Sequence, residues 1–414
     1  MKTRLNGESA SLSRRTEEAP LERKFSREAV LTIILHSFFQ FGSSMSFVFV
    51  NIYLWRLSHQ LSVIAVYNLI CYTFVPLGFV IGGKIAKRRD RLLTYRLGIG
   101  FYSLFYLSIV LAGTYVSAYY VLFAVSIGLA MGFYWSGFLV LLYDATTSSN
   151  RLRFLSLSTA CFSLAGITGT AVSGNIIASF RNTTGYIIVF GIALLVFLVT
   201  AFGSFRIAVK QSRKKRYFLK YTFLLAAKNK PWARAVLGFF IIGLLEGMMF
   251  FLPSILLYQS FTREDVVGYL TILFSVISVA SSYMQSKIGS RSSVSRYLLS
   301  SGAGIALAAA VLLTGYSGWP VVFFMIVQSF FNPWLQNGMM AYYFSMADRL
   351  PLKGQLRIES VVVYESMLNV GRVVSISLFC IFVLMAKLVS AEIFLFAAAC
   401  TQVFIVLCVD RKAA

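Results

Sequence analysis

The chain has 414 residues, of which 58% are hydrophobic and 13% are charged, and its formal net charge at pH 7 is +23. A soluble globular protein of this length needs a larger share of charged residues to cover its surface, so the composition excludes that class. The five cysteines all lie in apolar segments and lack the spacing of a disulfide framework or a metal site.

In chain order, the sequence begins with a polar and charged segment, 1–28, which lacks the apolar core of a signal peptide and is expected to be a cytoplasmic tail. Twelve apolar segments follow, each comparable to the roughly 20 residues that a helix needs to cross a bilayer. They are predicted at 29–51, 62–83, 92–113, 117–143, 154–178, 183–205, 233–257, 266–286, 295–315, 318–346, 360–385 and 391–409. A basic linker, 206–232, separates the sixth from the seventh, and a short cytoplasmic tail, 410–414, follows the last. The sequence therefore predicts an all-α integral membrane protein with twelve transmembrane helices in two six-helix bundles, 29–205 and 233–409.

The basic residues lie almost entirely on one side of the predicted spans. Of the 38 Lys and Arg residues, only Arg56, Arg181, Arg263 and Lys387 fall on the opposite side, and Arg372 lies inside a span. Basic loops stay on the cytoplasmic side of a membrane, so we expect both termini in the cytoplasm and the protein in the plasma membrane. The net charge then faces anionic lipid headgroups, and nucleic acid is not an expected partner.

The two halves of the chain contain related sequences. GGKIAKRRDRLLTYRLG at Gly82–Gly98 resembles SKIGSRSSVSRYLLSSG at Ser286–Gly302, and each stretch follows one apolar span and precedes another. Charged residues correspond at a nearly constant separation, namely Arg88 with Arg291, Asp144 with Asp348, and Arg153 with Arg357. Topology alone would also alternate basic loops, but it does not explain why the same spacing of Asp and Arg occurs twice. Six spans per half predict a parallel repeat about an axis normal to the membrane.

The loop between spans two and three resembles a signature of the major facilitator superfamily, G-x-L-A-D-R-x-G-R-R. The stretch from Gly83 to Arg91 fits it at Gly83, Ile85, Ala86, Arg88 and Arg91, and departs from it at Lys87 and Asp90. The resemblance implies a twelve-helix secondary transporter that works by alternating access. In the family, the acidic group at the position of Lys87 is thought to hold the two halves together near the start of span eleven. Glu359 lies there in this chain, so an exchanged Lys87–Glu359 pair is expected, with a solvated basic loop as the alternative.

A charged side chain inside a span is costly unless it faces a cavity or a partner, and three such side chains are candidates for function. They are Glu246 in span seven, and Glu365 and Arg372 in span eleven. The resemblance implies that span seven lines the central path and that span eleven lies between the halves. Glu246 is expected to bind a proton or a cationic substrate, or to be a structural carboxyl. Arg372 is expected to bind an anionic substrate group or to neutralise Glu365.

Neutral polar and aromatic residues mark the same expected path through spans one, four and ten. They are His36, Gln40, Trp135, Asn332, Trp334, Gln336 and Asn337, and packing between helices is the alternative role for the aromatic ones. Pro333 is expected to interrupt span ten locally. The residues expected to gate the path or to join the two halves are Gly83, Lys87, Arg88, Arg91, Asp144, Arg153, Arg291, Asp348, Arg357 and Glu359.

These features predict a secondary active transporter that moves a small solute, is driven by protons and exports amphipathic compounds. Uptake of a sugar-like nutrient remains an alternative, as do movement of lipid between leaflets and a role as a membrane partner without transport. We expect no enzymatic activity, no cofactor and no bound metal. The expected partners are a small-molecule substrate, protons and membrane lipids, and the protein is expected to function as a monomer.

Overall fold

The computed structural model describes residues 27–144, 151–180, 182–207, 217–288, 294–314, 318–351 and 356–409. All regular secondary structure within these ranges is helical. Eleven helical segments of this described part are long and apolar enough to cross a membrane. One more helix, Gly318–Asp348, is 31 residues long and contains Pro333 and several side-chain amides. Together these segments correspond to the twelve predicted spans.

The N-terminal bundle contains six long helices, which are numbered here in chain order. They are α1 (Arg27–Ser58), α2 (Leu61–Arg88), α3 (Arg91–Ala112), α4 (Tyr120–Asp144), α5 (Arg151–Ala178) and α6 (Thr184–Ser204). The predicted linker contains a further short helix, α7 (Leu219–Lys228), which the sequence analysis did not anticipate.

The C-terminal bundle repeats this arrangement, with one span divided into two helices and with irregular turns at some helix ends. Its helices are α8 (Lys230–Met249), α9 (Leu252–Phe261), α10 (Glu264–Ile288), α11 (Val294–Ala310), α12 (Gly318–Asp348), α13 (Arg357–Phe379) and α14 (Ala391–Cys400). A π-helical turn, Cys380–Met385, extends α13, and a 3-10 helix, Thr401–Cys408, extends α14. Because α8 and α9 share one span, each bundle has an even number of spans. The described chain ends and α7 therefore lie on one face, called here the terminal face, and the other is called the distal face.

The interruption within a span occurs in span seven, so the expected break at Pro333 is wrong. Helix α8 ends at Met249 and α9 begins at Leu252, with Pro253 in the first turn of α9. Proline has no N–H to donate to the preceding turn, which favours a helix end there. The Phe250 carbonyl lies at this break between the two helices. It accepts a hydrogen bond from the side-chain amide of Asn51, on α1, over 3.4 Å. Helix α12 instead continues through Pro333, and the Ser281 hydroxyl from α10 donates to a carbonyl of that turn, at Phe330.

Glycines bring helices into backbone contact at two places that shape the centre of the molecule. In the N-terminal bundle, a Cβ atom on Gly78 of α2 would lie 2.9 Å from the Gly132 Cα of α4. In the C-terminal bundle, a Cβ atom on Gly371 of α13 would lie 3.0 Å from the Gly243 Cα of α8. Inside a bilayer there is no water between helices to expel, so membrane helices associate through such close packing of small residues. The second contact places α8 directly against α13, where the charged residues of both helices lie.

Candidate functional site

An ion pair between α8 and α13 forms the centre of the site. The Nη2 atom of Arg372 lies 2.6 Å from Glu246 Oε2, and the Nε atom of Arg372 donates to the same oxygen over 3.1 Å. The Gln336 amide, from α12, donates to the other carboxylate oxygen of Glu246. Arg372 Nη1 donates to Asn369 Oδ1 over 2.9 Å. Glu246 and Arg372 are therefore each held by a charged partner and an amide.

The guanidinium group of Arg372 also reaches across the seam between the bundles. It lies over the ring of Tyr72, from α2, at 5.1 Å, and over the ring of Phe250 at 4.8 Å. Stacking between two aromatic faces is favourable for a planar cation that has lost its water. The Tyr72 hydroxyl is buried and has no hydrogen-bond partner among the described residues. This contact joins the ion pair of the C-terminal bundle to a side chain of the N-terminal bundle.

Glu365 is the second carboxyl group at this seam, and it lies two helical turns from Arg372 along α13. Of the two predicted roles for Arg372, neutralising Glu365 is wrong as a direct contact, because the guanidinium group binds Glu246 and Asn369. Glu365 is half-buried and close enough to interact electrostatically with Arg372 and Glu246. Among the described residues, Glu365 has no cation at salt-bridge distance.

The predicted residues of spans one and four form an aromatic cluster in the N-terminal bundle. His36 is buried, its Nδ1 atom is hydrogen-bonded to the Tyr134 hydroxyl, and its ring stacks on Phe138 with centroids 3.6 Å apart. The Trp135 ring meets the His36 ring edge-on at 5.7 Å. Gln40 is half-buried one turn further along α1. The packing role considered for these aromatic residues describes Trp135 and its neighbours well.

The polar residues predicted in span ten divide between two surroundings. Gln336 faces the ion pair, whereas Trp334 and Asn337 face α10. The Trp334 indole N–H donates to Ser281 Oγ over 2.8 Å, and the Asn337 amide donates to Gln285 Oε1 over 2.9 Å. Asn332 is half-buried on the same helix. The structure therefore brings only Gln336 of this set to the charged centre.

The expected Lys87–Glu359 contact is present on the terminal face. Lys87 Nζ, at the end of α2, lies 2.8 Å from Glu359 Oε1, and the Glu359 side chain is fully buried. The backbone N–H of Phe218, from the linker, donates to the same carboxylate oxygen over 3.1 Å. A Cβ atom on Gly83 would lie 3.0 Å from the Tyr217 hydroxyl oxygen, so glycine allows the linker to approach α2. Burial, with the nearby Glu359 carboxylate, raises the pKa of Tyr217, and the phenol stays protonated.

The other predicted gating residues contribute less to the described geometry. Arg88 is exposed, and Asp90, which departs from the signature, caps α3 by accepting from the Leu92 N–H over 2.9 Å. Arg291 lies outside the described residues. The side chains of five more lie outside the description, although their backbones are helical: Arg91, Asp144, Arg153, Asp348 and Arg357.

A second ion pair joins the bundles on the distal face, and the sequence analysis missed it. Arg56 Nη1, at the end of α1, lies 3.0 Å from Glu264 Oε1, at the start of α10. The Tyr186 hydroxyl, from α6, donates to the same oxygen over 3.1 Å. Arg56 is the one basic residue of the first predicted distal loop. A basic residue is rare on that side, and this rarity could have indicated that Arg56 has an acidic partner. The central seam therefore lies between an inter-bundle ion pair on each face.

This arrangement was compared with known families and solved structures. The sequence pattern of the Major Facilitator Superfamily matches residues 117–375. The chain belongs to the major facilitator superfamily. Among curated relatives, the "Uncharacterized protein YqgE" of Bacillus subtilis (strain 168) is 30% identical over 349 residues, covering 84% of this chain and 81% of that protein. The "Uncharacterized protein in sodM 3'region" of Geobacillus stearothermophilus is 34% identical over 169 residues, covering 41% and 79%.

Solved structures of this superfamily share the fold across nearly the whole chain. A D-xylose–proton symporter aligns with a TM-score of 0.71 at 11% identity, covering 93% of this chain and 98% of that one. A structure from the proton-dependent oligopeptide transporters aligns with a TM-score of 0.67 at 12% identity, covering 92% and 96%. At this identity the likeness establishes the superfamily fold. Lys87, which departs from the superfamily signature, forms its ion pair with Glu359 of the other half of the chain.

Proposed function

We propose that this chain is a secondary active transporter that exports small amphipathic solutes in exchange for protons, by alternating access between its two bundles. It acts as a monomer in the plasma membrane, with both termini in the cytoplasm. The observation that carries the proposal is the charge balance at the seam. Glu246 and Glu365 provide two carboxyl groups and Arg372 provides one fixed cation. When both carboxyl groups are ionised, the site lacks one positive charge, and a proton or a cationic solute can supply it.

Glu365 is the exchangeable carboxyl group in this proposal. Glu246 already receives two N–H groups of Arg372 and the Gln336 amide, so releasing it would leave a guanidinium group buried without its partner. Glu365 has no cation at salt-bridge distance among the described residues, and an unneutralised charge in the membrane is costly. Protonation and binding of a cation are two ways to remove the same cost, and they therefore exclude each other. Mutual exclusion at one site is the requirement for exchange.

In this proposal the two inter-bundle ion pairs act as the gates for alternating access. Arg56–Glu264 closes the distal face and Lys87–Glu359 closes the terminal face. In the state that is open to the distal side, Arg56–Glu264 is separated and Lys87–Glu359 is intact. In the state that is open to the terminal side, the reverse holds. The occupant of Glu365 then biases this equilibrium through its different affinities for the two states.

The proposal is tested in liposomes that contain the purified protein and a trapped fluorescent pH indicator. Tetraphenylphosphonium serves as the amphipathic cation, and tetraphenylborate, of the same shape and opposite charge, serves as its control. We expect movement of the cation to drive protons in the opposite direction. Glu365→Gln should reduce this proton movement to the rate of protein-free liposomes, because its amide cannot exchange a proton. Glu392→Gln, which removes a buried carboxyl group at the start of α14, should leave it unchanged.

Different results would support the alternatives. Proton movement in the same direction as D-xylose would indicate nutrient uptake. Transfer of labelled lipid between leaflets without proton movement would indicate a lipid transporter, and no flux of any probe would indicate a membrane partner without transport. Equal proton movement in the wild type and in Glu365→Gln would show that Glu365 is not the exchange site.

A further inference from the structure

The linker helix α7 has one face against the protein and one face open. It begins at Leu219, ends at Lys228 and runs into the start of α8 at Lys230. Thr222, on its inner face, is fully buried. In chain order α7 lies between α6 and α8, and on the terminal face it packs against α13 and α8.

The open face of α7 combines large apolar side chains with lysines. Tyr221, Phe223 and Leu224 are 42%, 39% and 55% exposed, and Lys220 and Lys228 are also exposed. Three large apolar side chains exposed on ten residues are unfavourable in water. The same composition is typical of a helix that lies in the membrane interface, with apolar side chains at the acyl boundary and lysines at the headgroups. The surface therefore fits a bilayer, and the lysines fit headgroups of negative charge.

The start of α7 is directly connected to the gate on the terminal face. The Phe218 N–H, immediately before the helix, donates to Glu359, which also binds Lys87. The second carboxylate oxygen of Glu359 and the hydroxyl of Tyr217 are both buried without a hydrogen-bond partner among the described residues. Glu359 thus has unused acceptor capacity at the point where the linker meets it. Because the linker N–H and Lys87 share one oxygen, a displacement of α7 changes the surroundings of the ion pair.

We infer that α7 is a lipid-binding element whose open face takes anionic phospholipid headgroups, and that this contact holds the Lys87–Glu359 gate closed. The lipid retains α7 against the membrane, and α7 retains Phe218 beside Glu359. When anionic lipid is replaced by zwitterionic lipid, the lysines lose their counterions and the linker moves away more often. The terminal gate then opens more often, whatever solute the protein carries.

Two labelled variants test this inference in the full-length protein, in a background without the five native cysteines. Phe223→Cys carries an environment-sensitive fluorophore, and Tyr217→Cys reports gate opening by its rate of reaction with a maleimide. Both are measured in nanodiscs of phosphatidylcholine alone and of phosphatidylcholine with phosphatidylglycerol. We expect spin-labelled lipids to quench the fluorophore at position 223. We also expect phosphatidylglycerol to slow the reaction at position 217 several-fold.

Matched substitutions separate the lysines of α7 from general surface charge. Lys220→Gln/Lys228→Gln should remove the effect of phosphatidylglycerol on the reaction at position 217. Lys84→Gln/Arg89→Gln, which removes two exposed cations at the end of α2, should retain it. The inference is wrong if the fluorophore has the emission of a group in water and escapes quenching. It is also wrong if phosphatidylglycerol has no effect, or has the same effect on both double variants.

Discussion

Replacing Arg372 with glutamine is expected to lower the free energy of unfolding by about 3–5 kcal/mol, the usual cost of removing one partner of a buried ion pair. The substitution leaves the Glu246 carboxylate between α8 and α13 without its cation, and it removes the group between the Tyr72 and Phe250 rings. Transport should be lost with it, because the charge balance at the seam changes. The measurement is reversible denaturation in detergent, together with proton movement in liposomes.

Two control variants separate the effect of the buried ion pair from the effect of losing any arginine. Arg263–Asp265 is an ion pair on the distal face whose arginine side chain is 67% exposed, so Arg263→Gln should leave the free energy of unfolding almost unchanged. Glu246→Gln/Arg372→Gln removes both charges and should recover most of the stability that Arg372→Gln loses. If Arg372→Gln unfolds with the same free energy as Arg263→Gln, the central ion pair does not stabilise the fold as described.

Reversing one charge of the terminal gate is the second change with a large expected effect. Lys87→Glu places two carboxyl groups together where Glu359 is fully buried, and Glu359→Lys places two cations there. Each single change should cost at least about 3 kcal/mol, because it leaves a buried charge without a counterion. Each should also abolish transport, since the gate cannot close. The measurements are denaturation in detergent and transport in liposomes.

The exchanged double variant Lys87→Glu/Glu359→Lys should restore transport and most of the stability. It should remain about 0.5–1.5 kcal/mol below the wild type, because a lysine at position 359 cannot accept the Phe218 N–H. Arg89→Glu, at an exposed neighbouring position, serves as the control for added negative charge. A double variant that is no better than the single variants would show that the two side chains do not act as a pair.

Features that depend on local composition could be predicted from the sequence. The length of the apolar segments predicts twelve spans, because crossing a bilayer requires a minimum helix length. The Lys87–Glu359 contact could also be predicted from the sequence. Lys87 stands at an acidic position of the signature and therefore needs an acidic partner, and Glu359 lies at the start of the span where that partner is expected. Its second contact, to the linker at Phe218, has no sequence signal, because a backbone N–H is common to every residue except proline.

Features that depend on distance in space could not be predicted. Glu246 and Arg372 are 126 residues apart, and the close packing of α8 against α13 at their glycines brings them together. Sequence reasoning therefore left Arg372 between a substrate role and Glu365 on its own helix. The two prolines illustrate the same difficulty. Pro253 and Pro333 look equivalent in sequence, but Pro253 lies in the first turn of a new helix, whereas α12 continues through Pro333 beside a hydroxyl from α10.

The central claim is that the two bundles rock about the seam that contains Glu246, Arg372 and Glu365. Double electron–electron resonance, which measures distances between pairs of spin labels, tests it most directly. The labels are attached to a variant without native cysteines in nanodiscs. One pair, Thr114→Cys with Ala386→Cys, spans the bundles on the distal face, and another, Arg89→Cys with Arg349→Cys, spans them on the terminal face. On changing from alkaline to acidic buffer, the account predicts that one distance lengthens while the other shortens, and that Glu365→Gln removes the change. Two distances that stay constant, or that change in the same direction, would contradict it.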